Sequence, residues 1–195
     1  MKLFRFCSFA MICCVAASMA HSQKLHNIVV ANNGYYTVDY DTQLLCPRQV
    51  SWMLKSNDIG NAPRSSSWKF KTDTWLRPYG ITHEDYTHSG FHRGHMCPAQ
   101  DRSLSPDSMK QTFFLSNVCA QLPSVNCGRW LESENICRAL AIKYDSIYIV
   151  ALPLFLHSDT LLVGQRSVAV PHAFVKLAYR ITPDTLLGWW FVWNR

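Results

Sequence analysis

An α+β domain built on a largely antiparallel sheet flanked by helices is the fold class that this 195-residue sequence predicts. Three observations carry the prediction. Short runs rich in branched and aromatic residues recur near both ends of the chain, each bounded by Asn, Gly, Pro or Ser. A single longer segment, opening near Gly128, has helical spacing. Strands and helices follow one another in mixed order, with no repeat, linker or low-complexity block between them.

In chain order, residues 28–31 and 35–40 read as a hairpin turning at Asn32-Asn33-Gly34. Residues 50–54 form a further strand, and residues 56–67, rich in Ser, Asn, Gly and Pro, a loop. Residues 82–92 are a polar, aromatic approach to a strand carrying Arg93 and His95 on one face, since side chains alternate across a strand. Ser105-Pro106-Asp107 is a helix start, with an N-cap and a proline in the first turn. That helix is short, and residues 112–116 return as a strand. Residues 122–126 are expected to be a loop, followed by a helix to about Tyr144 with Trp130, Glu134 and Cys137 at helical spacing. Residues 146–152 read as a buried strand. Residues 168–181, broken at Pro171, and 186–193 close the sheet.

The first twenty residues stand outside this domain. Lys2 and Arg5 precede the apolar stretch 6–17, and Ser18-Met19-Ala20 has small residues at both specificity positions, the pattern of a secretory signal peptide cleaved after Ala20 or after Ser22. The apolar run is shorter than the roughly 20 residues a spanning helix requires. No leucine-led lipobox precedes Cys13 or Cys14. The organisation expected is a signal peptide over residues 1–20 and one domain over residues 21–195. The protein is expected to be secreted or periplasmic, without stable membrane association after cleavage. The formal charge of +6 loses Lys2 and Arg5 with the leader and stays basic, which favours a polyanionic partner.

The chemistry concentrates in His92-Arg93-Gly94-His95-Met96, Asn117, and Asn126-Cys127-Gly128-Arg129-Trp130 with Glu134. An imidazole can take a proton from water at neutral pH. A guanidinium can hold a phosphate oxygen and the charge that grows on it. A side-chain amide oxygen suits Mg²⁺, which prefers hard oxygen ligands and keeps several of its waters. Together these are parts for hydrolysing a phosphodiester. Arg64, with Lys69 and Lys71 close by, is either a substrate-binding residue or part of a solvated basic loop.

The segment from Tyr86 to Tyr148 resembles the sugar-non-specific DNA/RNA endonucleases of the ββα-metal class. Their signature is Asp-Arg-Gly-His, then Ser-Asn about twenty residues on, then Asn-x-Gly-x-Trp and a Glu. Here the pieces stand as His92-Arg93-Gly94-His95, Leu115-Ser116-Asn117, and Asn126-x-Gly128-x-Trp130-x-x-x-Glu134, flanked by Met96-Cys97-Pro98-Ala99-x-Asp101-Arg102 and Thr112-Phe113-Phe114-Leu115. The resemblance implies that His95 is the general base and that Asn126 is the direct protein ligand of Mg²⁺, with Mn²⁺ as a substitute. It implies that Glu134 holds metal-bound waters, that Arg93 contacts the phosphate, and that Asn117 supports the site. DNA and RNA are the implied partners. His92 stands where the family has Asp, and its role is taken as supporting. Five cysteines remain after the leader, Cys46, Cys97, Cys119, Cys127 and Cys137, and the resemblance implies pairing of Cys119 with Cys137.

Other readings compete. His83, His88, His92, His95 and Cys97 offer zinc ligands, although no second short-spaced Cys/His pair accompanies them. Asn126 before a helix would serve as an N-cap, and Glu134 as a plain helix-surface carboxylate. Trp130 and the tryptophans near the end are expected in the core rather than as base-stacking platforms. A nucleic-acid-binding protein of the same fold with impaired catalysis would bind DNA without cutting it.

Overall fold

The structure, a computed structural model, describes residues 27–156 and 159–195. The leader read over residues 1–20 lies outside them. Among the described residues ten strands run in chain order: β1 (Ile28–Asn32), β2 (Thr37–Asp41), β3 (Cys46–Lys55), β4 (His92–His95), β5 (Val118–Gln121), β6 (Ser146–Leu154), β7 (Leu162–Val163), β8 (Val168–Ala169), β9 (Ala173–Arg180) and β10 (Thr185–Trp193). Six of them form one sheet in the order β1-β2-β3-β6-β9-β10, with every neighbouring pair antiparallel. The predicted fold class is the one observed.

Local chemistry explains the first hairpin. Asn33 Oδ1 accepts from the N–H groups of Tyr35 and Tyr36 at 3.0 and 3.1 Å, and Gly34 takes the left-handed φ of +83° that the turn requires. In β6 the period of two sends Ile147, Ile149 and Ala151 inward, where all are fully buried. Helix α1 (Pro106–Lys110) is capped by Ser105, whose Oγ accepts from Ser108 N at 3.1 Å. Helix α3 (Arg129–Tyr144) packs on β6 and buries Trp130, Glu134 and Cys137, as their spacing predicts. Among the described residues no helix is long and apolar enough to cross a membrane.

Three local expectations are corrected. Residues 112–116 are not a strand: Gln111–Phe113 and Leu115–Asn117 are 3₁₀ turns, and β5 begins only at Val118. Side chains hold those turns, because Asp73 accepts from Ser116 N and Oγ at 3.0 and 2.8 Å. The predicted loop before the long helix contains a short helix, α2 (Pro123–Asn126), started by Pro123, whose ring fixes φ where no N–H is needed. The terminal tryptophans divide by strand phase. Trp190 packs against the core, whereas Trp189 and Trp193 lie on the outward face, 64% and 41% exposed.

The implied Cys119–Cys137 disulfide is also absent. All five described cysteines are free thiols. Cys119 lies opposite Gly94 in the β4–β5 ribbon and its sulfur is 3.5 Å from that of Cys46 on β3, which packs against β5. Its neighbour is therefore a strand cysteine, not the helix cysteine.

Candidate active site

The β4–β5 ribbon pairs His92 with Gln121, Arg93 with Ala120 and His95 with Val118, and α2 and α3 follow directly. Gly128 makes the junction between the helices possible. A Cβ there would lie 2.2 Å from Ser124 O, a backbone atom that cannot yield, and Gly128 is the N-cap of α3. Asn126 is thus not the cap; it is the last residue of α2, carried to the mouth of α3. A cavity of about 680 Å³ lies between ribbon and helix, lined among others by Arg64, His92, Arg93, His95, Asn126, Glu134 and Arg138.

His95 sits with its ring 4.9 Å from both Phe70 and Phe113, and Trp130 Nε1 donates to its backbone oxygen at 3.1 Å. These contacts fix the imidazole. Its Nε2 is enclosed and meets no hydrogen-bond partner within the protein. Burial depresses its pKa from 6.5 to about 3, and the Arg64 guanidinium adds to the depression. The ring is neutral at physiological pH, as a proton acceptor must be. A phosphate anion beside Arg64 would offset that cation and restore some basicity.

His92 and Asn126 form a pair. Asn126 Nδ2 lies 3.2 Å from His92 Nδ1. An amide N–H only donates, so this contact needs the His92 tautomer with its lone pair on Nδ1. The Asn126 amide oxygen is then left for the cavity. His92 performs an orienting task that an Asp carboxylate, also an acceptor, would perform at that position.

Glu134 is buried, and its Oε1 lies 3.8 Å from the Nζ of Lys176. Burial raises its pKa to about 7, while the Lys176 charge pulls it down. Lys176 is itself fully buried and lies 3.8 Å from the centroid of the Trp130 ring. It stands in phase with the inward Phe174 and Ala178 of β9, a lysine within an apolar alternation. That pattern was the available signal for it. Arg138, one turn beyond Glu134, donates to Asp101 at 2.9 Å, and Asp101 also accepts from Trp52 Nε1 at 3.0 Å. Phe70 and Phe113 carried no signal, because their meeting at His95 depends on tertiary folding.

Arg93 lines the cavity but is partly committed elsewhere. Its Nε and Nη2 donate to His83 O at 3.0 and 2.6 Å, and Nη2 also reaches Thr87 Oγ1 at 2.5 Å. Nη1 is the part of the fork left for a phosphate. Arg64 reaches the cavity with its guanidinium 5.0 Å from the Phe113 ring centroid. Lys71 lines a neighbouring cleft instead.

Asn117 does not line the cavity. Its Oδ1 accepts from Cys97 N at 2.8 Å and its Nδ2 donates to Cys97 O and Thr112 O at 2.8 and 2.9 Å, tying down the backbone just after His95. Three buried backbone groups depend on this one amide. Asn117→Ala is expected to cost about 3 kcal/mol, since each orphaned buried group is worth about 1–3. Chemical denaturation checks this, and an unchanged midpoint and slope would refute it.

The alternative zinc set is not assembled. Among the described residues no three His, Cys, Asp or Glu side chains are placed to hold one ion. Cys97 is buried beside Asn117, while His83 Nδ1 faces Glu84 at 3.3 Å. The oxygen donors fit a harder ion: one amide oxygen aimed by His92 and one carboxylate in the same cavity suit Mg²⁺ or Mn²⁺.

The chain is similar to known nucleases. The profile of the DNA/RNA non-specific endonuclease family matches residues 15–190. Nuclease C1 of Cunninghamella echinulata var. echinulata is 39% identical over 160 residues, 73% of this chain and 61% of its own. Human mitochondrial Endonuclease G is 35% identical over 152 residues, 73% of this chain and 51% of its own. Mitochondrial Nuclease EXOG of Xenopus laevis is 33% identical over 153 residues, 73% of this chain and 42% of its own. The chain spans about half the length of the relatives it matches. A crystal structure of the EndoG/EndoGI complex, concerned with EndoG inhibition, superposes with a TM-score of 0.77 at 26% identity, covering 93% of this chain and 80% of that one.

Proposed function

The chain belongs to the DNA/RNA non-specific endonuclease family, and from that premise we propose that it is an exported, Mg²⁺-dependent endonuclease. It hydrolyses phosphodiester bonds of DNA and RNA with little sequence preference and leaves 5′-phosphate ends. The observation that carries the reading is His95 Nε2, an enclosed nitrogen without a protein partner, in one cavity with Asn126, Glu134, Arg64 and Arg93.

His95, neutral and packed against the Phe70–Phe113 pair, takes a proton from the water that attacks phosphorus. Arg64 and the free Nη1 of Arg93 hold the phosphate oxygens and the charge that develops on them. Asn126 Oδ1 and Glu134 would hold the divalent cation, the first directly and the second through hydrogen bonds to water. When bound, that cation neutralises the phosphate and stabilises the leaving 3′ oxygen. Lys176 stands behind Glu134 and favours its ionised form. The substrate contacts among these, from Arg64 and Arg93, go to the phosphodiester rather than to a base, which fits weak sequence preference.

The test is digestion of plasmid DNA and RNA by the protein with Mg²⁺ or EDTA. Cutting of both polymers with Mg²⁺ and none with EDTA is expected. Product ends should accept label from a polynucleotide kinase only after phosphatase treatment. Binding of DNA without cleavage under Mg²⁺ or Mn²⁺ would replace this reading with that of a nucleic-acid-binding protein.

A further inference from the structure

Two residues at the rim of the cavity have no part in that reaction as a pair, yet they stand together. His92 occupies a position where Asp would be expected, and Cys127 fills the variable place between Asn126 and Gly128. Cys127 is the exposed thiol among the described cysteines; the other four are buried. Its Sγ lies 3.9 Å from His92 Nδ1, the same nitrogen that faces the Asn126 amide at 3.2 Å.

These separations are close to those of ligands sharing one tetrahedral ion, the second once the Asn126 amide presents its oxygen in place of its nitrogen. With Zn–N of about 2.0–2.1 Å and Zn–S of about 2.3 Å, nitrogen and sulfur on one zinc lie about 3.6 Å apart. Nitrogen and oxygen on one zinc lie about 3.4 Å apart by the same geometry. The Nδ1 lone pair already points at the cluster, since it accepts the Asn126 N–H. Rotation about the terminal amide torsion, a soft two-fold coordinate, exchanges Nδ2 for Oδ1 as the atom facing His92.

We propose that His92 Nδ1, Cys127 Sγ and Asn126 Oδ1 form a binding site for a thiophilic divalent ion such as Zn²⁺, and that its occupancy shuts off the Mg²⁺-dependent reaction. Imidazole and thiolate select zinc over magnesium, which takes oxygen ligands. On binding, the Cys127 thiol releases its proton to solvent and the thiolate bonds to the ion. The ion draws the Asn126 oxygen toward His92 and away from a Mg²⁺ held beside Glu134 in the same cavity. Zinc and magnesium thereby compete for one oxygen. The binding half stands on the geometry alone; the inhibitory half rests on the nuclease reading.

The test uses the full chain, stripped of metal and kept reduced, with Co²⁺ and Zn²⁺ as probes. Co²⁺ should give a thiolate-to-cobalt charge-transfer band that Zn²⁺ bleaches and that Cys127→Ser lacks. Zn²⁺ affinity, read by competition with a chromophoric chelator, should fall at least about tenfold in Cys127→Ser, the lower bound seen even for loss of a group that only supports a ligand. Zn²⁺ should inhibit cleavage by the wild type at concentrations that spare Cys127→Ser, each referred to its own zinc-free rate. A band or a Zn²⁺ affinity indifferent to Cys127→Ser overturns the site. Cys127-dependent binding without inhibition overturns the regulatory half. A chain that binds Co²⁺ through Cys127 but cuts nothing under Mg²⁺ supports the site while overturning the nuclease reading and, with it, the inhibition.

Discussion

His95→Ala is expected to slow cleavage of both DNA and RNA on the order of 10²–10⁴-fold, the contribution typical of a positioned general base. The argument starts from its surroundings. An imidazole placed only for packing would have both nitrogens satisfied or exposed to water, whereas Nε2 here is enclosed and unpartnered while the ring packs on the adjoining Phe70 and Phe113 rings. That packing on one side restricts how far the ring can turn when an attacking water is placed against it. The fold should survive the substitution, at a cost of about 1–3 kcal/mol for the lost packing. His95→Asn, which keeps a polar side chain, should be equally slow. DNA binding measured in EDTA should persist in both variants, because Arg64 and Arg93 remain. A variant retaining near wild-type turnover would remove His95 from the mechanism.

The same burial gives the protein an acid liability with a definite sign. The folded state holds His95 down at about 3 against about 6.5 for the free side chain. Between those values the unfolded chain binds a proton that the folded one refuses, so stability falls as pH drops from about 6.5 toward 3 and is fully present above 6.5. Thermal melts across that window should show His95→Ala losing less stability on acidification than the wild type. Parallel curves would refute the assignment.

The sheet strands were legible because residues 146–152 and 186–193 are nearly continuous runs of branched and aromatic residues, a composition that suits a strand in a sheet. The helix beyond Gly128 was legible from a different signal, the helical spacing of Trp130, Glu134 and Cys137. Residues 112–116 misled because Phe-Phe-Leu has a strand-like composition, while the decisive bonds come from Asp73 and Asn117, far off in sequence or dependent on side-chain direction. The candidate site was legible as a set of residue types, to the extent that His95, Arg93, Asn126 and Glu134 line one cavity. Its fine division of labour was not. That Asn117 holds backbone, that His92 orients Asn126, and that Lys176 stands behind Glu134 are consequences of three-dimensional placement. Sequence spacing reports which residues share an element face, not which atoms a side chain chooses there.

Asn126→Ala is expected to lower the rate at fixed Mg²⁺ on the order of 10²-fold, about 3 kcal/mol of the several that a phosphate-bound cation supplies. The substitution is structurally mild, because Asn126 ends a four-residue helix at a partly exposed position and its side-chain bond goes to the exposed His92. The melting temperature should therefore barely move. The defect should lie in metal use, with the Mg²⁺ concentration for half-maximal rate shifted upward and saturating Mg²⁺ restoring only part of the activity. His92→Ala tests the orienting contact separately. It leaves the Asn126 oxygen in place but free to turn away, so it should weaken Mg²⁺ use by less than Asn126→Ala, and His92→Asp should restore it by supplying another acceptor. Added to Asn126→Ala, the His92→Ala change should cost little more, since its role acts through the amide already removed. Unchanged Mg²⁺ dependence in Asn126→Ala would end the ligand assignment. Additive losses in the double variant would mean that His92 acts on the reaction by some route other than Asn126.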